Sequence, residues 1–209
     1  MNISENITKF TDLENNDSLS SFRGHLSQQN HGAYEVFYEF IKEIKPKRIL
    51  EIGTALGGFT QFLKLIIDDL GLNTKILSYD ITSRPWYDDM RLSGIDVRVE
   101  NIFSDDWGEM RIEVINYIQQ DGICIVLCDG GNKVEEFNLI SNYIKSGDFI
   151  LAHDYAENKT TFDDKINGKI WNWHEIQDSD IQTACSKNNL MSYKKEIFDN
   201  IVWVCKIKK

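Results

Sequence analysis

Proline is nearly absent, at two in 209 residues. That leaves little room for a proline-rich linker or a second tethered unit, so one globular domain with a full core is expected. Cysteine is scarce too. Cys124, Cys128, Cys185 and Cys205 form no C-x-x-C pair, and three of them fall in apparent strands. Buried reduced thiols are therefore predicted in place of disulfides or a zinc site. Basic residues are in deficit, 23 against 33 acidic, for a net charge of −10. Such a surface repels phosphate backbones, so nucleic acid is not an expected partner. No apolar run follows a basic start and none reaches membrane-spanning length. Neither a signal peptide nor a membrane partner is expected, and the predicted compartment is the cytoplasm. Two phosphate-binding signatures are missing as well: the Gly-Lys-Ser/Thr of a P-loop and the G-x-G-x-x-G of a dinucleotide site.

What is present is organised around Arg48–Leu63, RILEIGTALGGFTQFL. A short apolar run ends on Glu51, and a turn of small residues follows with Gly53, Thr54, Gly57 and Gly58. Phe59, Phe62, Leu63, Ile66, Ile67 and Leu70 then recur at helical spacing. This reads as strand, glycine turn and helix, a unit that lets backbone approach a ligand and offers helix N–H groups to it. An acid beside the turn would repel a pyrophosphate and suits a ligand with a cationic amino group. A second strand, Lys75–Asp80, also ends on an acid. Asp80 is placed to accept hydrogen bonds from both hydroxyls of a ribose.

Further strands are expected at Ile95–Asn101, Ile123–Cys128 and Phe149–Ala152, with an amphipathic helix over Tyr34–Ile44 that Pro46 ends. Ser104 or Asp105 is a candidate cap for a helix reaching Gln119, and Ser179 for one over Asp180–Lys187. Leu190–Phe198 and Ile201–Lys209 read as two strands of a final hairpin turning near Asp199-Asn200. Residues 1–30 are polar, a tail or a lid of short helices with Ile7, Phe10, Leu13 and Leu19 scattered through it. The alternation predicts a doubly wound α/β fold, whose ligands bind beyond the carboxyl ends of the strands. Asp129, His153 and Asp154 follow two neighbouring strands there. Such a set can hold a divalent cation that orients a hydroxyl, or His153 can take the hydroxyl proton as a general base. Trp171 and Trp173, in a long polar loop, are candidates to stack on a sugar or flat ring.

Glu51-x-Gly53-x-x-x-Gly57 resembles motif I of the class I S-adenosylmethionine (AdoMet) methyltransferases. The positions of Asp129, His153 and Asp154 look like those of catechol-type and macrocin-type O-methyltransferase-like and cephalosporin hydroxylase-like proteins. The resemblance implies a mainly parallel, seven-stranded Rossmann-like sheet with an antiparallel final strand, over a methyltransferase domain of residues 31–209. It implies AdoMet as cofactor, with Glu51, Gly53, Thr54, Gly57 and Gly58 at its methionine end and Asp80 on its ribose. Asn101, Ile102 and Phe103 would lie at its adenine, and Asp129 at the reacting end. It also implies Mg2+ or another divalent cation on Asp129, His153 and Asp154, a catalytic lysine for which Lys133 is nearest, and a small-molecule or sugar hydroxyl as acceptor. Two departures stand out. His-Asp replaces the usual Asp-Asp, Asp-Asn or Glu-Asp, and Lys133 lies four residues after Asp129 where the catechol-type lysine lies three after its aspartate. An oxygenase on the same fold and a non-catalytic AdoMet-binding module are the alternatives. Nothing in the sequence decides the oligomeric state, and a homo-oligomer stays open.

Overall fold

The computed structural model describes residues 7–12 and 17–209. An antiparallel sheet comes first, of β1 (Ile7–Asp12), β2 (Asp17–Phe22) and β3 (His25–Leu26). The main domain follows as α1 (Ala33–Ile44), β4 (Arg48–Ile52), α2 (Gly58–Asp69), β5 (Lys75–Asp80), α3 (Tyr87–Leu92) and β6 (Asp96–Val99). It continues through α4 (Ile112–Gln119), β7 (Cys124–Cys128), α5 (Lys133–Ile140) and β8 (Phe149–Ala152). The C-terminal part holds α6 (Lys159–Thr161) running into a π-helical turn (Phe162–Ile166), then α7 (Asp178–Lys187), β9 (Leu190–Ser192), α8 (Lys195–Asp199) and β10 (Val204–Lys208).

The main sheet has seven strands in the order β6-β5-β4-β7-β8-β10-β9. The first five are parallel, and β10 inserts antiparallel between β8 and β9. The fold is therefore the Rossmann-like α/β sheet expected, with β10 as its antiparallel final strand. Every residue of β4, β7 and β8 is buried, which explains why these strands read as near-continuous apolar runs. The order reverses between β4 and β7, and a crevice opens where their carboxyl ends diverge.

Helix α1 buries Tyr34, Phe37, Phe40 and Ile41 on one face. Phe37 meets Phe59 and Trp203 with ring centroids 4.9 and 5.2 Å away, and Phe40 meets Phe149 and Phe198, each at 5.2 Å. Truncating such a ring to alanine costs about 3–5 kcal/mol. Lys45, left-handed at φ 49°, closes the helix by donating its N–H to Ile41 O, and Pro46 cannot extend it. No helix among the described residues is long and apolar enough to cross a membrane.

Four local expectations are corrected. The N-terminal stretch, expected as a tail or short helices, forms strands where it is described. Ser20 and Ser27 hydrogen-bond the Tyr34 hydroxyl at 2.8 and 2.6 Å, and Phe22 is fully buried against Phe62. Residues 1–6 and 13–16, with Leu13 among them, lie outside the described residues, as do the side chains of Ile7, Phe10 and Leu19. Ser104 and Asp105 do not cap α4. Ser104 donates to Asp106 at 2.7 Å and accepts from the Glu109 N–H at 2.9 Å, closing its own loop, and α4 begins only at Ile112. Gln177, not Ser179, caps α7, in a reciprocal box with Asp180. Finally, Leu190–Phe198 is not one strand. Lys194 turns left-handed at φ 46°, and a Lys195–Asp199 ion pair at 2.6 Å one turn apart favours a short helix that buries Phe198.

Candidate active site

The turn after β4 is pressed between its neighbours. Gly53 has φ +96°, and a Cβ there would lie 2.1 Å from the Asp129 carbonyl oxygen. Only glycine fits both the angle and the contact. The Ala55 N–H donates to Asp80 Oδ2 at 2.6 Å, the Thr82 N–H donates to Asp80 Oδ1 at 2.7 Å, and the Tyr87 hydroxyl donates to Ala55 O at 2.7 Å. Asp80 thus organises the turn from the tip of β5. Glu51 lies behind it, buried, accepting hydrogen bonds from Thr60 (2.7 Å) and from Ser78. Burial pushes its carboxyl up to about 7, against the pull of those two hydroxyls. Thr54 shares a 2.6 Å hydrogen bond with Ser78. Gly58 admits the N-terminal sheet, since a Cβ there would sit 2.3 Å from His25 O.

Two cavities open at this edge. The first, of about 370 Å³, is lined by Gly53, Ala55 and Asp80 on one side, by Asn101, Ile102, Phe103 and Trp107 on another, and by Asp129–Asn132 and Glu136 opposite. The Phe103 and Trp107 rings lie 4.7 Å apart and make an apolar wall. The Glu136 carboxylate accepts the Gly130 and Asn132 N–H groups, both at 3.2 Å. Burial raises its pKa to about 7, with those N–H groups opposing. The second cavity, of about 220 Å³, lies across Gly53, Ala55, Asp129 and Gly130, which line both. Its other walls include Gln28, Thr54, Lys133, His153, Asp154, Trp171, Trp173 and Glu175.

The second cavity is charged. Asp129, His153 and Asp154 bring ligand-type atoms within 4.8 Å of one another. His153 Nδ1 lies 3.1 Å from Asp129 Oδ1, while its Nε2 is buried with no hydrogen-bond partner. The ring stacks on Trp203, with centroids 4.8 Å apart. Burial lowers the imidazole pKa, but Asp129 and Asp154 outweigh it and leave the value raised. Asp154, left-handed at φ 57°, accepts from Trp171 Nε1 at 2.5 Å and from Lys133 at 2.9 Å. Burial opposes its ionisation, yet His153 and Lys133 hold its carboxyl below the usual range. Gln29, fully buried, donates Nε2–H to Asp129 Oδ2 and accepts Trp203 Nε1–H, both at 2.9 Å.

Residues 29–174 match the rhamnosyl O-methyltransferase/CmcI family. The chain belongs to that family. Among solved structures, it resembles magnesium- and AdoMet-bound CmcI at 11% identity and TM-score 0.60, covering 90% of this chain and 76% of that one. An S-adenosylhomocysteine-bound CmcI resembles it at 12% identity and TM-score 0.57, over 90% and 82% of the two chains. A Staphylococcus aureus protein named as a caffeoyl-CoA O-methyltransferase matches at 13% and 0.55, over 85% and 83%. At such identities these likenesses speak for the fold. No curated protein matches the sequence.

Set against this family, the cluster departs from a magnesium site. Magnesium demands octahedral oxygen ligands. Here all four carboxylate oxygens of Asp129 and Asp154 already face N–H groups of His153, Gln29, Trp171 and Lys133. The only other member of the set is an imidazole. The Lys133 ammonium lies 2.9 Å from Asp154 and 3.8 Å from Asp129. At an effective dielectric of about 20, it would oppose a divalent ion about 4 Å away by roughly 8 kcal/mol. The residues present do not fit a hard divalent cation.

Of the residues singled out from sequence, Gly53, Asp80, Asn101, Ile102, Phe103 and Asp129 meet in the first cavity. Thr54, Lys133, His153, Asp154, Trp171 and Trp173 meet in the second. Glu51, Gly57 and Gly58 shape the turn without lining either cavity. Trp171 is buried against Asp154, whereas Trp173 is 40% exposed at the mouth. The sequence carries no signal for Trp203 or Glu175. Trp107 is one of the tryptophans it offers as pocket walls, passed over for Trp171 and Trp173, and Gln29 stands in a polar run entering α1 that could reach the site or cap the helix.

Proposed function

We propose that this chain, an AdoMet-dependent O-methyltransferase by family, methylates a hydroxyl of a small molecule or sugar in the second cavity, with the cofactor in the first. Asp80 would accept the two ribose hydroxyls, and Ile102, Phe103 and Trp107 would cover the adenine, with Asn101 beside it. Gly53 and Thr54 would carry the methionine end, so that the sulfonium methyl faces the second cavity past Asp129. Glu51 would act from behind, holding the turn.

The observation that carries the chemistry is the buried, unpartnered His153 Nε2 at a cavity wall. In the neutral imidazole with Nδ1–H donated to Asp129, Nε2 would hold the lone pair. The acceptor hydroxyl would give its proton to Nε2 while its oxygen attacks the methyl carbon and the carbon–sulfur bond breaks. Positioning in line with that bond supplies much of the rate. Asp129 and Gln29 orient the imidazole, and Trp173 at the mouth offers a face for a sugar ring. The net charge of −10 favours such an acceptor over nucleic acid. The free cysteines, three of them buried, fit a reducing cytoplasm.

The test is release of S-adenosylhomocysteine with a panel of hydroxylated small molecules and sugars. Turnover with at least one, reduced by about 10²–10⁴-fold in His153→Ala, is expected. Full activity in that variant would remove His153 from the chemistry. Oxygen uptake coupled to acceptor loss would point to the oxygenase alternative instead.

A further inference from the structure

The charged cluster already contains a cation. Lys133 opens α5, where Asn132 caps the helix by accepting the Glu135 N–H. Lys133 as a whole is 5% exposed. Its ammonium lies 2.9 Å from Asp154 Oδ2, 2.9 Å from Glu175 Oε2, 3.0 Å from the Gly130 carbonyl oxygen and 3.8 Å from Asp129 Oδ1. Three carboxylates and a carbonyl converging on one point are the oxygen donors that a hard metal ion would require. A lysine ammonium fills the same point with three N–H donors and one charge. Asp129 Oδ1 also meets His153 Nδ1, and the remaining oxygens of Asp129 and Asp154 are taken by Gln29 and Trp171.

We propose that Lys133 is a built-in cation that occupies the place of the divalent metal between Asp129, Asp154 and Glu175, so that this site works without metal. The inference deepens the methyl-transfer reading and rests on it for its consequence: the ammonium, not a metal ion, sits beside the acceptor oxygen as that oxygen gives up its proton. Glu175 is the outermost partner, with 43% of its side chain exposed. It is the one that an acceptor oxygen can replace. The arrangement also leaves the acidic residues in excess over Lys133, the sign that suits a sulfonium across Asp129.

Electron paramagnetic resonance of Mn2+ titrated into the full chain tests this without any assay of turnover. The wild-type chain should leave Mn2+ free at concentrations where Lys133→Ala, or Lys133→Gln if the first fails to fold, takes up one ion. The gain should be about tenfold or more in affinity, and Asp154→Asn should abolish it in the same background. One Mn2+ bound per wild-type chain and lost in Asp154→Asn would overturn the proposal. So would a folded Lys133 variant that gains no site. Calorimetry with AdoMet on the wild-type chain reports separately on the cofactor reading. If that binding is absent while the Mn2+ results hold, the methyl-transfer reading fails and the cation assignment stands.

Discussion

The two cavities are neighbours built in opposite ways. The first is assembled mostly from short-range units, each a strand and the turn that follows it: Gly53 and Ala55 after β4, Asp80 at the tip of β5, Asn101–Phe103 after β6. The second is lined by Asp129 after β7, Asp154 after β8 and Trp171 from the long loop, and is backed by Gln29 from before α1 and Trp203 from before β10. The first is walled by backbone and apolar side chains, with the acids Asp80, Glu100, Asp129 and Glu136 spaced around it. The second is a network in which each carboxylate oxygen of Asp129 and Asp154 has an N–H partner. A binding site for a fixed cofactor can be written in local signals. A site that must hold protons and charges in place draws on distant residues, since each buried polar atom needs a partner from somewhere.

Gly53 is where the two halves touch, so it should give the largest effect. Gly53→Ala forces φ +96° on alanine and drives its Cβ into the Asp129 carbonyl. It should cost about 3 kcal/mol or more and abolish both AdoMet binding and turnover, as read by thermal melts and calorimetry. His153→Ala should break one half only. Turnover should fall by about 10²–10⁴-fold with AdoMet affinity unchanged, and a matching loss of affinity would merge the two cavities into one functional unit. Asp80→Ala should act on the other half. It should weaken AdoMet binding by about 1–3 kcal/mol, and calorimetry showing unchanged affinity would remove Asp80 from the ribose.

Glu51→Gln should leave the chemistry intact and change the pH dependence of stability. The folded-state carboxyl titrates at about 7, above its ordinary 4.5. A carboxyl that holds its proton more tightly when folded stabilises the fold fully below its unfolded pKa, and that contribution is lost as pH rises through the folded pKa. The Tm of the variant relative to wild type should therefore rise by a few degrees between pH 5 and pH 8. A difference independent of pH would show that Glu51 is not held protonated.

The central sheet is legible in sequence because β4, β5, β7 and β8 are largely apolar runs, and three of them end on or run into the acids Asp80, Asp129 and Asp154. The motif around Gly53 is legible because close contact with a neighbouring carbonyl leaves no substitute for glycine. The N-terminal sheet is not. Asp17–Phe22 is serine-rich, and the buried Ser20 meets Ser27, the Gln29 carbonyl and the Tyr34 hydroxyl only after folding, a set of partners that no local pattern announces. Lys194–Asp199 misleads for a similar reason. Its apolar residues are too few to show a period, and the i, i+4 pairing of Lys195 with Asp199 decides the local structure. Gln29 and Trp203 reach His153 from opposite ends of the chain, and their convergence exists only after folding.

A crystal structure with S-adenosylhomocysteine bound tests the division of labour most directly. The account predicts the ribose hydroxyls on Asp80, the adenine against Ile102, Phe103 and Trp107, and the sulfur beside Asp129, facing the His153 cavity. A nucleoside seated elsewhere, or a sulfur turned away from His153, would contradict it.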